Sequence, residues 1–119
     1  MLDNQITLND GTDDHVYDLV SREGMTSVRR ELSTDSADAH ALIIKNTIDM
    51  SNPSSKNRHL VQFTWNEVSA EGVTYPASVH IVIARHKLVT DAEISVKVAQ
   101  LAAFLGVTAN IDAILIGGN

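Results

Sequence analysis

The chain has 119 residues, of which 44% are hydrophobic and 20% charged, with a formal net charge of −6 and no cysteine. A chain of that length is read as one domain, residues 1–119, with a modest core, and its composition is that of an ordinary globular protein, neither disordered nor membrane-embedded. No apolar run approaches the ~20 residues needed to cross a bilayer, and the missing thiols exclude disulfides and thiolate metal sites.

The charge is unevenly placed. Residues 1–38 carry nine acids against Arg22, Arg29 and Arg30, a net of −6, whereas residues 39–89 carry a net of +2. Such a split gives a fold an acidic side and a mildly basic side, so the overall sign does not exclude a polyanionic partner. The acidic start, MLDNQITLND, has no basic segment leading into an apolar stretch and is not read as a secretory signal.

In chain order, two alternating runs flank Asp10-Gly11, a dipeptide suited to the positive φ angles of a hairpin turn, and predict strands over 4–9 and 14–21. Gly24 separates these from MTSVRREL, a further strand with loose alternation. STDSADA at 33–39 is a polar loop by composition. From His40 a β-branched strand sets Leu42, Ile44 and Ile48 against Lys45, Thr47 and Asp49. MSNPSSKN at 50–57 is a turn by its Asn-Pro and serine content. NRHLVQFTWNE then sets His59, Val61, Phe63 and Trp65 against Arg58, Leu60, Gln62, Thr64 and Asn66. After a loop read over 69–77, SVHIVIARH forms the last strand.

The period then changes to about 3.6. Thr90-Asp91-Ala92-Glu93 fits a capping box, a stripe of Ile94, Val98, Leu101 and Leu105 comes next, and Gly106 is expected in the C′ role. Thr108 is expected to cap a second short helix, 109–116, stopped by Gly117-Gly118. That helix is too short to persist alone, and its Ile111, Ile114 and Leu115 require burial. The order of elements gives an α+β fold with helices on one face of an antiparallel sheet, and a partly covered apolar face points to an obligate homodimer.

With that order set, the segments ITLNDGT, VSREGM, LIIKNTID leading to NPSSKNRHLVQF, GVTYPASVHIVI and LAAFLGVTANIDAIL together resemble the coat proteins of single-stranded RNA bacteriophages, the levivirus-like coat proteins. The resemblance spans nearly the whole chain. It implies an N-terminal hairpin outside, a sheet lining the inside, and two C-terminal helices interlocking with a second subunit. It further implies icosahedral assembly around a single-stranded RNA genome in the host bacterial cytoplasm to form a virion, and repression of replicase translation through an RNA stem-loop. Seven strands are usual in such proteins and six are legible here, so the seventh is sought in a subdivision of 14–23. The rival reading is a dimeric RNA-binding regulatory module that does not assemble.

The resemblance places RNA contacts at Lys45 and Thr47; Arg58, Gln62, Thr64, Asn66, Ser78 and His80 continue that face. Lysine can neutralise phosphate and threonine can hydrogen-bond a base or sugar, and an imidazole can stack on an unpaired base. Phe63 and Trp65 share the register of Val61 and are expected to pack under helices. The dimer contacts are read as Ile94, Val98, Leu101, Leu105, Ile111, Ile114 and Leu115, and the inter-dimer loop as Glu71, Gly72, Tyr75 and Pro76. The five histidines never fall at the i, i+4 spacing of a zinc helix, and no phosphate-binding glycine loop or nucleophile elbow occurs. Neither catalysis, a cofactor, a metal nor a membrane partner is expected.

Overall fold

In the computed structural model, residues 2–31, 40–48 and 56–118 are described. The chain forms two compact units, Met1–Arg85 and His86–Asn119. The first holds a six-stranded sheet whose spatial order matches the sequence: β1 (Gln5–Asn9), β2 (Asp14–Glu23), β3 (Thr26–Arg30), β4 (Ala41–Thr47), β5 (Lys56–Val68) and β6 (Thr74–His86). Pairing is antiparallel from β1 through β5. The loop expected at 33–39, Asp49 and most of the turn expected at 50–57 lie outside the described residues.

Local chemistry sets the turns. Between β1 and β2, Asp10 Oδ1 accepts from the amides of Thr12 and Asp13 at 2.8 and 2.7 Å, while Gly11 takes φ +100°. An aspartate that bonds the backbone two residues ahead builds this turn without a second glycine. Gly24 takes φ +58° at the first central position of the Gly24-Met25 connection, the arrangement that suits a two-residue hairpin.

The expected seventh strand is absent from 14–23. Those residues form one continuous strand whose register shifts between Leu19 and Ser21. A bulge of this kind bends a strand and leaves one residue unpaired without ending the ladder.

The loop read over 69–77 is also shorter than expected. Only residues 69–73 connect β5 to β6, closed by the Ser69 amide donating to the Val73 carbonyl at 2.8 Å. Tyr75 and Pro76 belong to β6. Proline donates no ladder hydrogen bond, so it is admitted to a strand at a sheet edge, and β6 lies at one end of the strand order.

The second unit contains α1 (Asp91–Leu105) and α2 (Thr108–Leu115) with 76° between them. Thr90 caps α1 as expected, its Oγ1 accepting from the Glu93 amide at 3.2 Å. The next two expectations fail. Gly106 has φ −73°, not a left-handed C′ conformation, and the cap of α2 is Val107, with no side-chain hydrogen bond. The two helices lie so close in sequence that Gly106 keeps a helical φ, its amide donating to the Ala102 carbonyl at 2.8 Å, and Asn110 Nδ2 donates to the Phe104 carbonyl at 2.9 Å.

The left-handed stop comes at the end of α2, as read. Gly117 has φ +87°, its amide donates to Ile114, and the Gly118 amide donates to Ala113 at 2.7 Å. That is the paired 5→2 and 6→1 closure of a Schellman motif. A Cβ on Gly118 would sit 2.7 Å from the Ala113 carbonyl oxygen, so glycine is required there on space as well.

Candidate nucleic-acid interface

Strand register brings the predicted RNA residues together. Lys45 pairs with Leu60, Thr47 with Arg58, Ile43 with Gln62 and Ala41 with Thr64. Directly paired residues share a face, and side chains alternate along each strand. Lys45, Thr47, Arg58, Gln62, Thr64 and Asn66 therefore all project from one side.

On β6, Ser78 lines a cavity of about 380 Å³ with Gln62, Thr64 and Asn66, and Val82 lines one of about 350 Å³ with Lys45, Thr47 and Arg58. Alternation then places His80 on the same side, where Ser78 Oγ and His80 Nε2 are hydrogen-bonded at 2.9 Å. All eight predicted residues thus occupy one face of β4–β6, and among the described residues of these strands no carboxylate shares it. The face divides by chemistry into an end with the cations Lys45 and Arg58 and an end of neutral amides and hydroxyls.

The opposite face is aromatic. Phe63 centres a cluster with Tyr17 at 5.7 Å, edge-on, with Trp65 at 5.7 Å, and with His40 stacked at 6.0 Å. Tyr17 is 3% exposed, and burial pushes its phenol pKa up from 10.0. These rings line a cavity of about 660 Å³ that Leu8 and Val79 also border. Phe63 and Trp65 project from the side opposite the polar one, and the ring contacts they make there among the described residues are with each other and with Tyr17 and His40 of the sheet unit, not with the helices under which they were expected to pack.

On this aromatic side lies a cluster that the sequence did not disclose. His15 Nδ1 lies 2.7 Å from Glu31 Oε1 and His15 Nε2 lies 2.8 Å from Asp10 Oδ2, while His40 Nδ1 lies 3.4 Å from Glu31 Oε2. Two carboxylates facing both ring nitrogens require both to donate, which is the imidazolium form. Hydrogen bonding to Glu31, then to Asp10, raises the His15 pKa from 6.5 to about 9. The Asp13 amide, then His15 and the Thr12 amide, lower Asp10 from 3.8 to about 2. His15 likewise lowers Glu31 from 4.5. The four residues are spread from 10 to 40 with no common spacing, so no motif could have revealed them. Among the described residues no group of three or more His, Asp or Glu is placed to hold a metal ion.

In the helical unit, no residue of α1 or α2 is buried. Of the predicted dimer contacts, Ile94, Leu105 and Ile111 are half-buried, whereas Val98, Leu101, Ile114 and Leu115 are exposed, Leu115 by 78%. Phe104, Val107 and Ile116 are exposed as well and extend the apolar surface beyond the residues read from periodicity. Of the predicted inter-dimer residues, Glu71 and Gly72 lie in the β5–β6 connection and Tyr75 and Pro76 at the start of β6, all exposed.

No protein-family model and no curated protein matches the chain. Solved structures do match it in backbone. The virus-like particle of bacteriophage AVE019 superposes with a TM-score of 0.83 at 18% identity, covering 100% of this chain and 99% of that one. The fold is that of a levi-like phage coat protein. The virus-like particle of Beihai levi-like virus 21 gives a TM-score of 0.72 at 19% identity, over 93% of this chain and 90% of that one. The bacteriophage EMS014 coat protein gives 0.64 at 14% identity, over 88% and 73%. At these identities the agreement concerns the coat-protein fold, its six strands and then two helices.

Proposed function

We propose that the chain is a structural capsid protein that dimerises through its helical unit, assembles into a closed icosahedral shell and packages single-stranded RNA against the Lys45–His80 face. The observation that carries this reading is the helical unit. Both helices leave every side chain unburied, in a fold that forms virus-like particles in bacteriophage AVE019 and in Beihai levi-like virus 21. Apolar surface gains about 25 cal/mol per Å² when removed from water, so Val98, Leu101, Phe104, Ile114 and Leu115 favour a second copy. An exposed edge strand is a further template for pairing, and the 13-residue β6 supplies one in the protomer.

The RNA role rests on the shared face: the cations Lys45 and Arg58 for phosphate at one end, amides and hydroxyls for base edges or sugars at the other. The same face would hold a stem-loop if the chain also represses translation of a replicase. Within this reading the role is structural and needs no cofactor, the exposed Glu71, Gly72, Tyr75 and Pro76 meet neighbouring dimers, and the product is a virion formed in the host bacterial cytoplasm.

Expressing the chain alone and imaging the product by electron microscopy tests this directly, with sequencing of any co-purified RNA. Closed particles containing RNA are expected. A species that stays dimeric would make the chain a non-assembling RNA-binding module, and a monomer would overturn dimerisation as well.

A further inference from the structure

The titratable cluster around His15 has no part in shell closure or RNA binding as proposed above, yet it ties the tip of the β1–β2 hairpin by side chains to the ends of β3 and β4. Asp10 sits in the β1–β2 loop and divides its two oxygens. Oδ1 accepts from the Thr12 and Asp13 amides and forms the loop, which leaves Oδ2 for His15 Nε2 at 2.8 Å. His15, on β2, reaches with its other nitrogen to Glu31, just past β3. Glu31 is only 9% exposed, and its second oxygen faces His40, just before β4. The result is a relay of ionisable side chains from the tip of the hairpin to the middle of the sheet, along the wall of the aromatic cavity.

We propose that this relay is a pH-releasable hasp: the His15 imidazolium pins the tip of the β1–β2 hairpin to the sheet, and its deprotonation frees the tip and opens the cavity lined by Tyr17, Phe63 and Trp65. A neutral imidazole has one N–H, so it can serve one carboxylate and must present a lone pair to the other. The lost contact is then the one to Asp10 or the one to Glu31, and the latter is the costlier because Glu31 is the more buried.

Linkage sets the sign. A histidine with a raised pKa contributes stability that is complete below its unfolded value of 6.5 and is lost as pH rises through about 9. Asp10 contributes stability present above 3.8 and lost as pH falls through about 2. The hasp is therefore fully closed between the ordinary carboxylate and imidazole ranges, and it opens on the alkaline side. Around the cavity, the other titratable groups facing His15 are Tyr17 on β2, His40 before β4 and Glu67 on β5; Val79 of β6 is uncharged. Tyr17 stays neutral through the release because burial raises its pKa further from 10.0.

Hydrogen–deuterium exchange read by mass spectrometry on the intact assembled protein, at pH 6, 7, 8, 9 and 10, tests the hasp when rates are corrected for intrinsic base catalysis. Protection of peptides covering 5–18 should fall about tenfold between pH 7 and pH 10, discounted for the partial exposure of His15, while peptides from β4 and β5 hold theirs. His15→Gln should show the low hairpin protection already at pH 7 and no alkaline step, and Asp10→Asn should move the step to lower pH. Flat wild-type protection through pH 10 would overturn the proposal. So would an alkaline loss spread evenly over the sheet, or a step that His15→Gln retains. Should His15→Gln fail to fold, the wild-type profile and Asp10→Asn decide the matter.

Discussion

The sheet unit and the helical unit obey the same rules of local structure and differ in what they bury. In residues 1–85, each strand from β2 to β4 has a ladder partner on both sides. Tyr17 and Leu42 are buried, and even the fully buried Arg29 is satisfied, donating from Nε and Nη2 to the Asp3 carbonyl and from Nη1 to Ser27 Oγ. In residues 86–119 the helices are as well formed, with a side-chain cap at Thr90 and a Schellman closure at Gly117-Gly118. Yet none of their side chains is buried. Correct caps and a correct period shape a helix, but they do not supply the apolar surface that stabilises it. For the helical unit that surface belongs, on the proposed reading, to a second copy.

The largest effect should come from charging the helical unit. Leu115→Asp places a carboxylate where a dry contact is proposed, at a cost of roughly 3–5 kcal/mol for an unpaired buried charge, or at least about a hundredfold weaker self-association. Sedimentation velocity reads it, and a variant that remains dimeric would refute the clasp. In the sheet unit the corresponding break is Tyr17→Ala. Its ring is 3% exposed and touches Phe63 edge-on, so the loss should be about 3 kcal/mol. Urea unfolding monitored by the emission of Trp65, the single tryptophan, measures it, and a loss below about 1 kcal/mol would mean that the aromatic cluster is not what stabilises the sheet.

The smallest change is expected from Lys45→Ala with Arg58→Ala. Stability should hold, while the slope of log K against log salt for RNA should shrink by roughly 0.7–0.9 per lost phosphate contact. An unchanged slope in filter binding would separate that face from RNA altogether.

How much of this was legible beforehand differs by feature. The polar register of β5 was, because Arg58, Gln62, Thr64 and Asn66, interrupted only by Leu60, alternate with His59, Val61, Phe63 and Trp65, and period two survives whatever the strand pairs with. The continuity of β2 was not, since a bulge changes pairing without changing composition. Nor was the extent of β6: Pro76 carries turn chemistry, and only the edge position of the strand makes proline acceptable there. The ends of the helices divided in the same way. Gly117-Gly118 stops α2 as read because it ends the helix by its own backbone freedom. Gly106 does not take the left-handed form because α2 begins two residues later.

By itself the sequence determined element order, strand faces and the helix stop, all of which depend on neighbours a few residues apart. It also carried the expectation, which remains a proposal, that the helical stripe meets a partner. Tertiary structure alone decided that Asp10, His15, Glu31 and His40 meet, that the register of β4 and β5 sets Lys45 and Thr47 beside Leu60 and Arg58, and that Arg29 is buried beneath the N-terminal segment. The physical reason is range. Periodicity and capping are interactions within a turn or a strand pair, whereas a charge relay or a binding face depends on which strands become neighbours, and that is set by the ladder and not by any residue in it.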